Sequence, residues 1–160
     1  MSATHSTARQ EFVEDAGLFF ERLGLSRTSG RVLGWLLTHP DGSADAPELV
    51  DELAVAKSSM SVALRQLDAA GLVERYRPPR QRRDRYRLTE DVFGRAFRAK
   101  MAEFDAVHAL VTRGLAVVGS DPVPRQRLQR MADMYSFMAR EFPKLLDRWN
   151  REQRLSRDTC

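Results

Sequence analysis

Between Asp45 and Gly71 the sequence writes two short helices with about three residues between them, and few folds accommodate such a pair. Asp45-Ala46-Pro47-Glu48 is a capping box, with an acceptor at the cap, proline in the first turn and glutamate three residues on. It predicts a helix from about Ala46 to Ala54, carrying the apolar pair Leu49 and Leu53. A second helix follows from about Lys57 to Ala70, with Met60, Ala63, Leu64 and Leu67 spaced to form one buried face. Gly71 ends it, where a left-handed residue is least costly. The pair is a helix-turn-helix. The other face of its second helix is small and polar: Lys57, Ser58, Ser59, Ser61, Val62 and Arg65. Short hydroxyl side chains let a helix backbone approach a base edge, while lysine and arginine reach phosphate or guanine. An ordinary solvent-facing helix is the competing reading of this segment alone.

The next segment alternates. Leu72-Val73-Glu74-Arg75-Tyr76-Arg77 reads as a strand, Pro78-Pro79 breaks it, and Arg85-Tyr86-Arg87-Leu88-Thr89 alternates again, so a β-hairpin is predicted. Its tip, Pro78 to Asp84, is too long for a two-residue turn and should project as a charged loop. Seven arginines lie between positions 75 and 87, with Glu74 and Asp84 as the acids of the stretch. The net charge of +4 is therefore local: residues 1–56 hold 4 basic and 9 acidic side chains, residues 57–87 hold 9 and 3, and residues 88–160 hold 13 and 10. A basic stripe confined to a helix-turn-helix and the hairpin after it suits a phosphate backbone. Arg77, Arg80, Arg82, Arg83 and Arg85 are the candidate contacts of this wing, and a solvated charge run is the bland alternative.

Helical periodicity fills the rest. From about Ala8 to Gly24, Phe12, Ala16, Phe19, Phe20 and Leu23 recur at steps of three and four. Ser26 or Thr28 can cap a helix bearing Val32, Leu33, Trp35, Leu36 and Leu37, which His39-Pro40-Asp41-Gly42 must end. Thr89 is placed to cap a long helix opening with Glu90-Asp91, whose stripe runs Phe93, Phe97, Met101, Phe104, His108, Val111, Leu115 and Val118. After Ser120-Asp121-Pro122 a last helix carries Leu128, Met131, Tyr135, Met138, Phe142, Leu145 and Trp149 in a heptad seam, with a kink or break expected at Pro143. The expected fold is mainly α with a small β-hairpin wing. Its parts are an N-terminal helix (1–24) contributing to a dimer interface, a winged helix-turn-helix lobe (25–89), a helical dimerisation arm (90–150) and a frayed tail (151–160). The first and last helices carry more apolar surface than one small lobe can cover, so Phe12, Phe19, Leu128, Met131, Tyr135, Met138 and Phe142 are expected to meet a second copy of the chain.

Composition narrows the alternatives. At 160 residues, 42% apolar and 30% charged, the chain has the balance of one foldable unit. It lacks an apolar run of spanning length and a hydrophobic signal core, so no membrane is expected and the cytoplasm is the expected compartment. One cysteine, Cys160, and three dispersed histidines exclude a disulfide within the chain and a cysteine-based zinc site; neither metal nor cofactor is expected. His108 reads as a core or interface histidine. No nucleophile elbow, metalloprotease motif or phosphate-cradling glycine loop occurs, and no acid/base pair is placed for catalysis. The rival from another class is a helical dimeric ligand-binding protein or enzyme that uses the arginine run for an anionic metabolite. A nucleic-acid binder without sequence preference is a third reading, and it leaves the serine-rich helix face unexplained.

The stretch from Leu53 to Leu67, LAVAKSSMSVALRQL, followed by Ala70-Gly71-Leu72-Val73-Glu74-Arg75, resembles the recognition-helix signature of bacterial MarR-type winged-helix regulators. Gly30-Arg31-Val32-Leu33-Gly34 resembles the entry to the winged lobe in the GbsR-like branch of that superfamily, and the two long helices are similar to its dimerisation arm. The resemblance covers roughly residues 10–150. Ala56 departs from it, standing where such proteins place a hydroxyl cap, as does Arg82-Arg83-Asp84-Arg85-Tyr86, which replaces a well-spaced Asp-x-Arg in the wing. The resemblance implies a homodimeric, sequence-specific regulator, more often a repressor, on palindromic double-stranded DNA. It also implies that small-molecule effectors bind between lobe and arm, where Trp35, His39, Phe97, Met101 and Phe104 are the candidate lining; core packing is the competing reading of those five.

Overall fold

The capping box forms as its residues require. In the computed structural model, which describes residues 2–157 and the side chains of 6–98 and 101–155, the Asp45 carboxylate accepts from the Glu48 N–H (2.9 Å) and the Glu48 carboxylate from the Asp45 N–H (2.8 Å). The element order is α1 (Ser2–Arg22), α2 (Arg27–Thr38), β1 (Ser43–Asp45), α3 (Ala46–Leu53), α4 (Lys57–Ala69), β2 (Val73–Tyr76), β3 (Arg85–Leu88), α5 (Val92–Val118) and α6 (Pro122–Arg157). The chain divides into two units, the first running through Ala96 and the second beginning at Phe97.

The first unit is built around α4. Met60, Ala63, Leu64 and Leu67 are all buried, packed with Val32, Leu33, Trp35 and Leu36 of α2, Leu49 and Leu53 of α3, and Val73 of β2. Ala54 takes a left-handed conformation (φ 48°) to turn the chain from α3 into α4. At the far end of α4, Gly71 (φ 67°) reverses the chain and the Leu72 N–H reaches the Leu67 carbonyl (3.0 Å), the Schellman closure the glycine predicts. The hairpin forms with β2 antiparallel to β3, Tyr76 facing Arg85 and Val73 facing Leu88. A third strand joins it: β1 pairs with β3 on the other side, Ala44 opposite Tyr86, giving the order β1-β3-β2. Three residues are too few to show an alternating pattern, so the sequence shows Asp45 as a cap and hides Ser43–Asp45 as a strand.

Two sequence expectations are corrected at α5. Thr89 is buried, so its hydroxyl must find a partner inside; it donates to the Gly71 carbonyl (2.9 Å) rather than capping the helix. The cap is Asp91, whose carboxylate accepts from the Gly94 N–H (3.2 Å), and α5 starts at Val92 instead of Glu90. At the start of the chain, α1 packs on α2 of its own lobe. Val13 and Ala16 are buried there, while Phe12 and Phe19, expected at a dimer interface, stand exposed.

The crossing of α1 and α2 depends on glycine. A Cβ on Gly30 would lie 2.8 Å from the Ala16 carbonyl oxygen and 2.9 Å from the Gly17 Cα, both backbone atoms that move only with the whole helix. Replacing Gly30 with alanine gains about 1 kcal/mol of helix propensity but incurs about 1–3 kcal/mol of overpacking. A net loss of up to ~2 kcal/mol in denaturant unfolding is expected; a stabilised variant would mean that the two helices are not held this close.

In the second unit α6 packs on α5. Phe104 meets Tyr135 (5.8 Å between ring centres) and Phe142 (5.5 Å) edge-on, Val111 and Ala132 are buried, and Leu128 lies against Gly114. Leu128, Tyr135, Met138 and Phe142 are half-buried in the single chain, so the heptad seam is shared with α5, while Met131, Leu145 and Trp149 are exposed. His108 is exposed too, not core. Pro143 does not break α6, because the one lost bond to the Ala139 carbonyl is outweighed by the turns on either side. Nor does the helix fray at residue 151: it continues to Arg157, and the remainder of the expected tail, with Cys160, lies outside the described residues.

Candidate nucleic-acid interface

The helix α4 separates its two faces as the spacing requires. Lys57, Ser58, Ser59, Ser61, Val62 and Arg65 are all exposed, on the side opposite the buried Met60, Ala63, Leu64 and Leu67. Val62 is 53% exposed, more than a valine of ordinary surface packing needs, and offers a methyl pair at the centre of the face. Lys57 and Arg65 have no acidic partner among the described residues. Ala56 supplies no side-chain cap, so the first-turn N–H groups of α4 are left with the partial positive charge of a helix N-terminus. Beside this face lies a groove of about 460 Å³ between α3, α4 and the sheet, rimmed by Lys57, Ser61, Arg65 and Arg75 and floored by Met60 and Leu64.

The orientation of α4 is set by a polar tie the sequence analysis missed. Gln66, half-buried on α4, accepts at Oε1 from the Ser29 hydroxyl (2.7 Å) and from the Ser26 N–H (3.1 Å). Ser26 is the N-cap of α2, its hydroxyl accepting from the Ser29 N–H (3.1 Å). One amide oxygen therefore joins the start of α2 to the third turn of α4. Ser29 is fully buried, and its hydroxyl also lies within hydrogen-bond reach of the Ser26 hydroxyl (2.8 Å) and the Ala63 carbonyl (3.5 Å), so the tie is one part of a small buried polar cluster. Only the pairing of residues about 40 apart reveals the tie.

The wing arginines are sorted by acids. Arg77 donates from Nε to Asp84 Oδ1 (2.7 Å), and Arg75 donates from Nε (2.8 Å) and Nη2 to Asp84 Oδ2. Arg83 pairs with Asp45 (3.3 Å) and Arg85 with Glu48 (3.3 Å), so both carboxylates of the capping box also hold the wing. Arg85 donates in addition to the Ser43 carbonyl (2.7 Å) and is mostly buried, which makes it a brace between β3 and β1 rather than a free cation. Arg87 lies over the Tyr76 ring (4.5 Å) and pairs with Glu74. Arg80 and Arg82, at the exposed tip, have no acidic partner among the described residues; Arg80 adopts a left-handed backbone (φ 65°). Arg75, outside the expected set, and Asp84 were legible only through the register: Tyr76 opposite Arg85 puts Arg77 opposite Asp84.

The five residues considered for an effector site fall in different units. Trp35 and His39 belong to the first, where they stack at 4.1 Å and 12°. Phe97, Met101 and Phe104 belong to the second, and Phe104 is engaged by Tyr135 and Phe142. Among the described residues no group of three or more His, Cys, Asp or Glu side chains is placed to hold a metal ion, and no helix is long and apolar enough to cross a membrane.

Residues 23–84 match the MarR family, and residues 91–153 match the family described as MmpR5-like MarR family transcriptional regulators. The chain is 32% identical over 141 residues to the HTH-type transcriptional regulator MmpR5 of Mycobacterium tuberculosis, covering 88% of this chain and 86% of that one. A crystal structure of a transcriptional regulator is similar at 31% identity and a TM-score of 0.76, over 90% of this chain and 99% of that one. MepR, a transcription regulator of the Staphylococcus aureus multidrug efflux pump MepA, is 22% identical over 86% of this chain and 97% of that one, with a TM-score of 0.43. With a helix-turn-helix, a basic hairpin beside it and a relative of this identity along nearly its whole length, the chain belongs to the MarR family of DNA-binding transcriptional regulators.

Proposed function

We propose that the protein is a cytoplasmic, homodimeric repressor of a palindromic double-stranded operator, with α4 in the major groove and the hairpin tip at the adjoining minor groove. The observation that carries this reading is the α4 face itself: six small, polar or cationic residues exposed along one side of a helix whose other side is the core. Ser58, Ser59 and Ser61 allow close approach, Val62 suits a thymine methyl, Arg65 suits guanine, and Lys57 suits phosphate. Arg80 and Arg82 are the wing residues free to enter a narrow minor groove, where negative potential is strongest. Membership in a family of transcriptional regulators removes the enzyme alternative.

A second copy is the partner that suits the exposed apolar residues of α1 and α6, among them Phe12, Phe19, Met131 and Trp149. Modulation by a small molecule is part of the reading. Trp35 Nε1 is buried without a hydrogen-bond partner among the described residues, and a ligand that accepts this hydrogen bond is the chemistry an effector needs there. The GbsR-like branch is proposed on the Gly30-to-Gly34 resemblance alone; the close crossing of α1 and α2 also demands Gly30 and Gly34.

Selection of bound duplexes from a random pool tests the whole. The expected product is an inverted repeat with half-site centres about one helical turn apart. Recovery of an asymmetric site or of no consensus would refute the two-fold, base-reading arrangement.

A further inference from the structure

The wing holds more positive charge than it presents. Arg75 on β2 and Arg77, the residue just past its end, both reach across to Asp84 at the foot of the tip, each carboxylate oxygen taking one guanidinium. Asp84 is only 17% exposed, whereas Arg75 and Arg77 are 59% and 61% exposed, so the carboxylate sits beneath two cations that face solvent. The hydrogen bonds from Arg77 and then Arg75 hold the Asp84 carboxyl below the usual carboxylate range, which keeps the clasp ionised throughout the neutral range.

We infer that Asp84 is a specificity-determining clasp: it withholds Arg75 and Arg77 from the DNA backbone and leaves the phosphate and minor-groove contacts of the wing to Arg80 and Arg82. The inference deepens the wing reading above and rests on it. Seven closely spaced arginines would otherwise bind any duplex, because phosphate contacts are the same in every sequence and carry no information about bases. A carboxylate that bonds two of them in the free protein competes with phosphate for the same donors. Nonspecific affinity falls, while the base-reading face of α4 is untouched. The chain thus trades total affinity for the ratio between operator and random DNA, the quantity that decides occupancy among many competing sites.

Removal of the charge tests this. Affinity of the full-length protein for the operator and for a random duplex is measured across a range of salt concentrations for Asp84→Asn, Asp84→Glu, Arg82→Ala and the triple variant Asp84→Asn/Arg75→Gln/Arg77→Gln. Each phosphate contact contributes about 0.9 to the slope of log K against log salt. Asp84→Asn is expected to steepen the slope on random DNA by up to ~1.8 and to reduce the operator-to-random ratio. Asp84→Glu should behave as the native protein, and the triple variant should return the slope to the native value. A merely structural aspartate would weaken binding without steepening the slope, and that result overturns the clasp, as does a steepened slope that the added Arg75→Gln and Arg77→Gln changes leave in place. Arg82→Ala reports separately on the wing: an unchanged slope in that variant rejects the wing reading, whatever Asp84 does.

Discussion

A chain ending at Gly119 is expected to lose tight operator binding. Without α6 the second unit loses the partners of Phe104 and the packing around Val111, and the exposed apolar residues of α6 proposed to meet a second copy are gone, leaving only those of α1. A monomer engages one half-site, and loss of the linked second contact weakens binding by about 10²–10⁴-fold. Because such a truncation exposes α5 and could fail by unfolding, the paired variant Met134→Glu/Trp149→Glu is the cleaner probe. Both residues are exposed in the single chain (60% and 54%), so charge there is tolerated by a folded monomer and opposed only by an interface. Sedimentation or light scattering should show half the native mass with helical content unchanged. A variant that stays dimeric and binds the palindrome at native affinity would remove α6 from the dimer interface.

Replacing Arg65 with alanine should reduce operator affinity by about 1–3 kcal/mol and relax specificity at one base pair, the signature of a bidentate contact to guanine. Arg65 is suited to this: it is exposed, lies one turn beyond Ser61 on the same face of α4, and has no acidic partner among the described residues. Its removal disturbs no core contact, since the helix is anchored by Met60, Leu64, Leu67 and the Gln66 tie. Binding assays on the operator, on operators changed at single positions and on random DNA distinguish the roles. Equal loss on every duplex, with the salt slope reduced by about 0.9, would reassign Arg65 to the phosphate backbone.

These two expectations were legible to different degrees. Much of what neighbours within a few residues set could be read directly: the capping box at Asp45 and Glu48, the buried and exposed faces of α4, the left-handed Gly71 and the two alternating strands. Periodicity and capping are local, because a helix of 3.6 residues per turn and a strand of period two fix which side chains share a face wherever the element is placed. The six residues proposed to read DNA were therefore expected on the exposed face of α4, and they lie there.

Tertiary structure decided which of those charged groups are available. Arg77, Arg80, Arg82, Arg83 and Arg85 look alike in sequence, yet Arg85 is braced by Ser43 and Glu48, Arg83 reaches Asp45, Arg77 is clasped by Asp84, and Arg80 and Arg82 are left to the tip. The partners of Arg83 and Arg85 lie about 40 residues away, beyond any local pattern, and exist because β1 joins β3. The same holds for Thr89, taken from its capping role by the Gly71 carbonyl, and for α1, drawn onto α2 by glycines whose missing side chains matter only once two helices touch. The sequence by itself determined most of the elements and which face of α4 is exposed, since those follow from local sterics and hydrogen bonding. Packing between distant segments determined which cations are free, since a charge is satisfied by whatever the fold brings within reach.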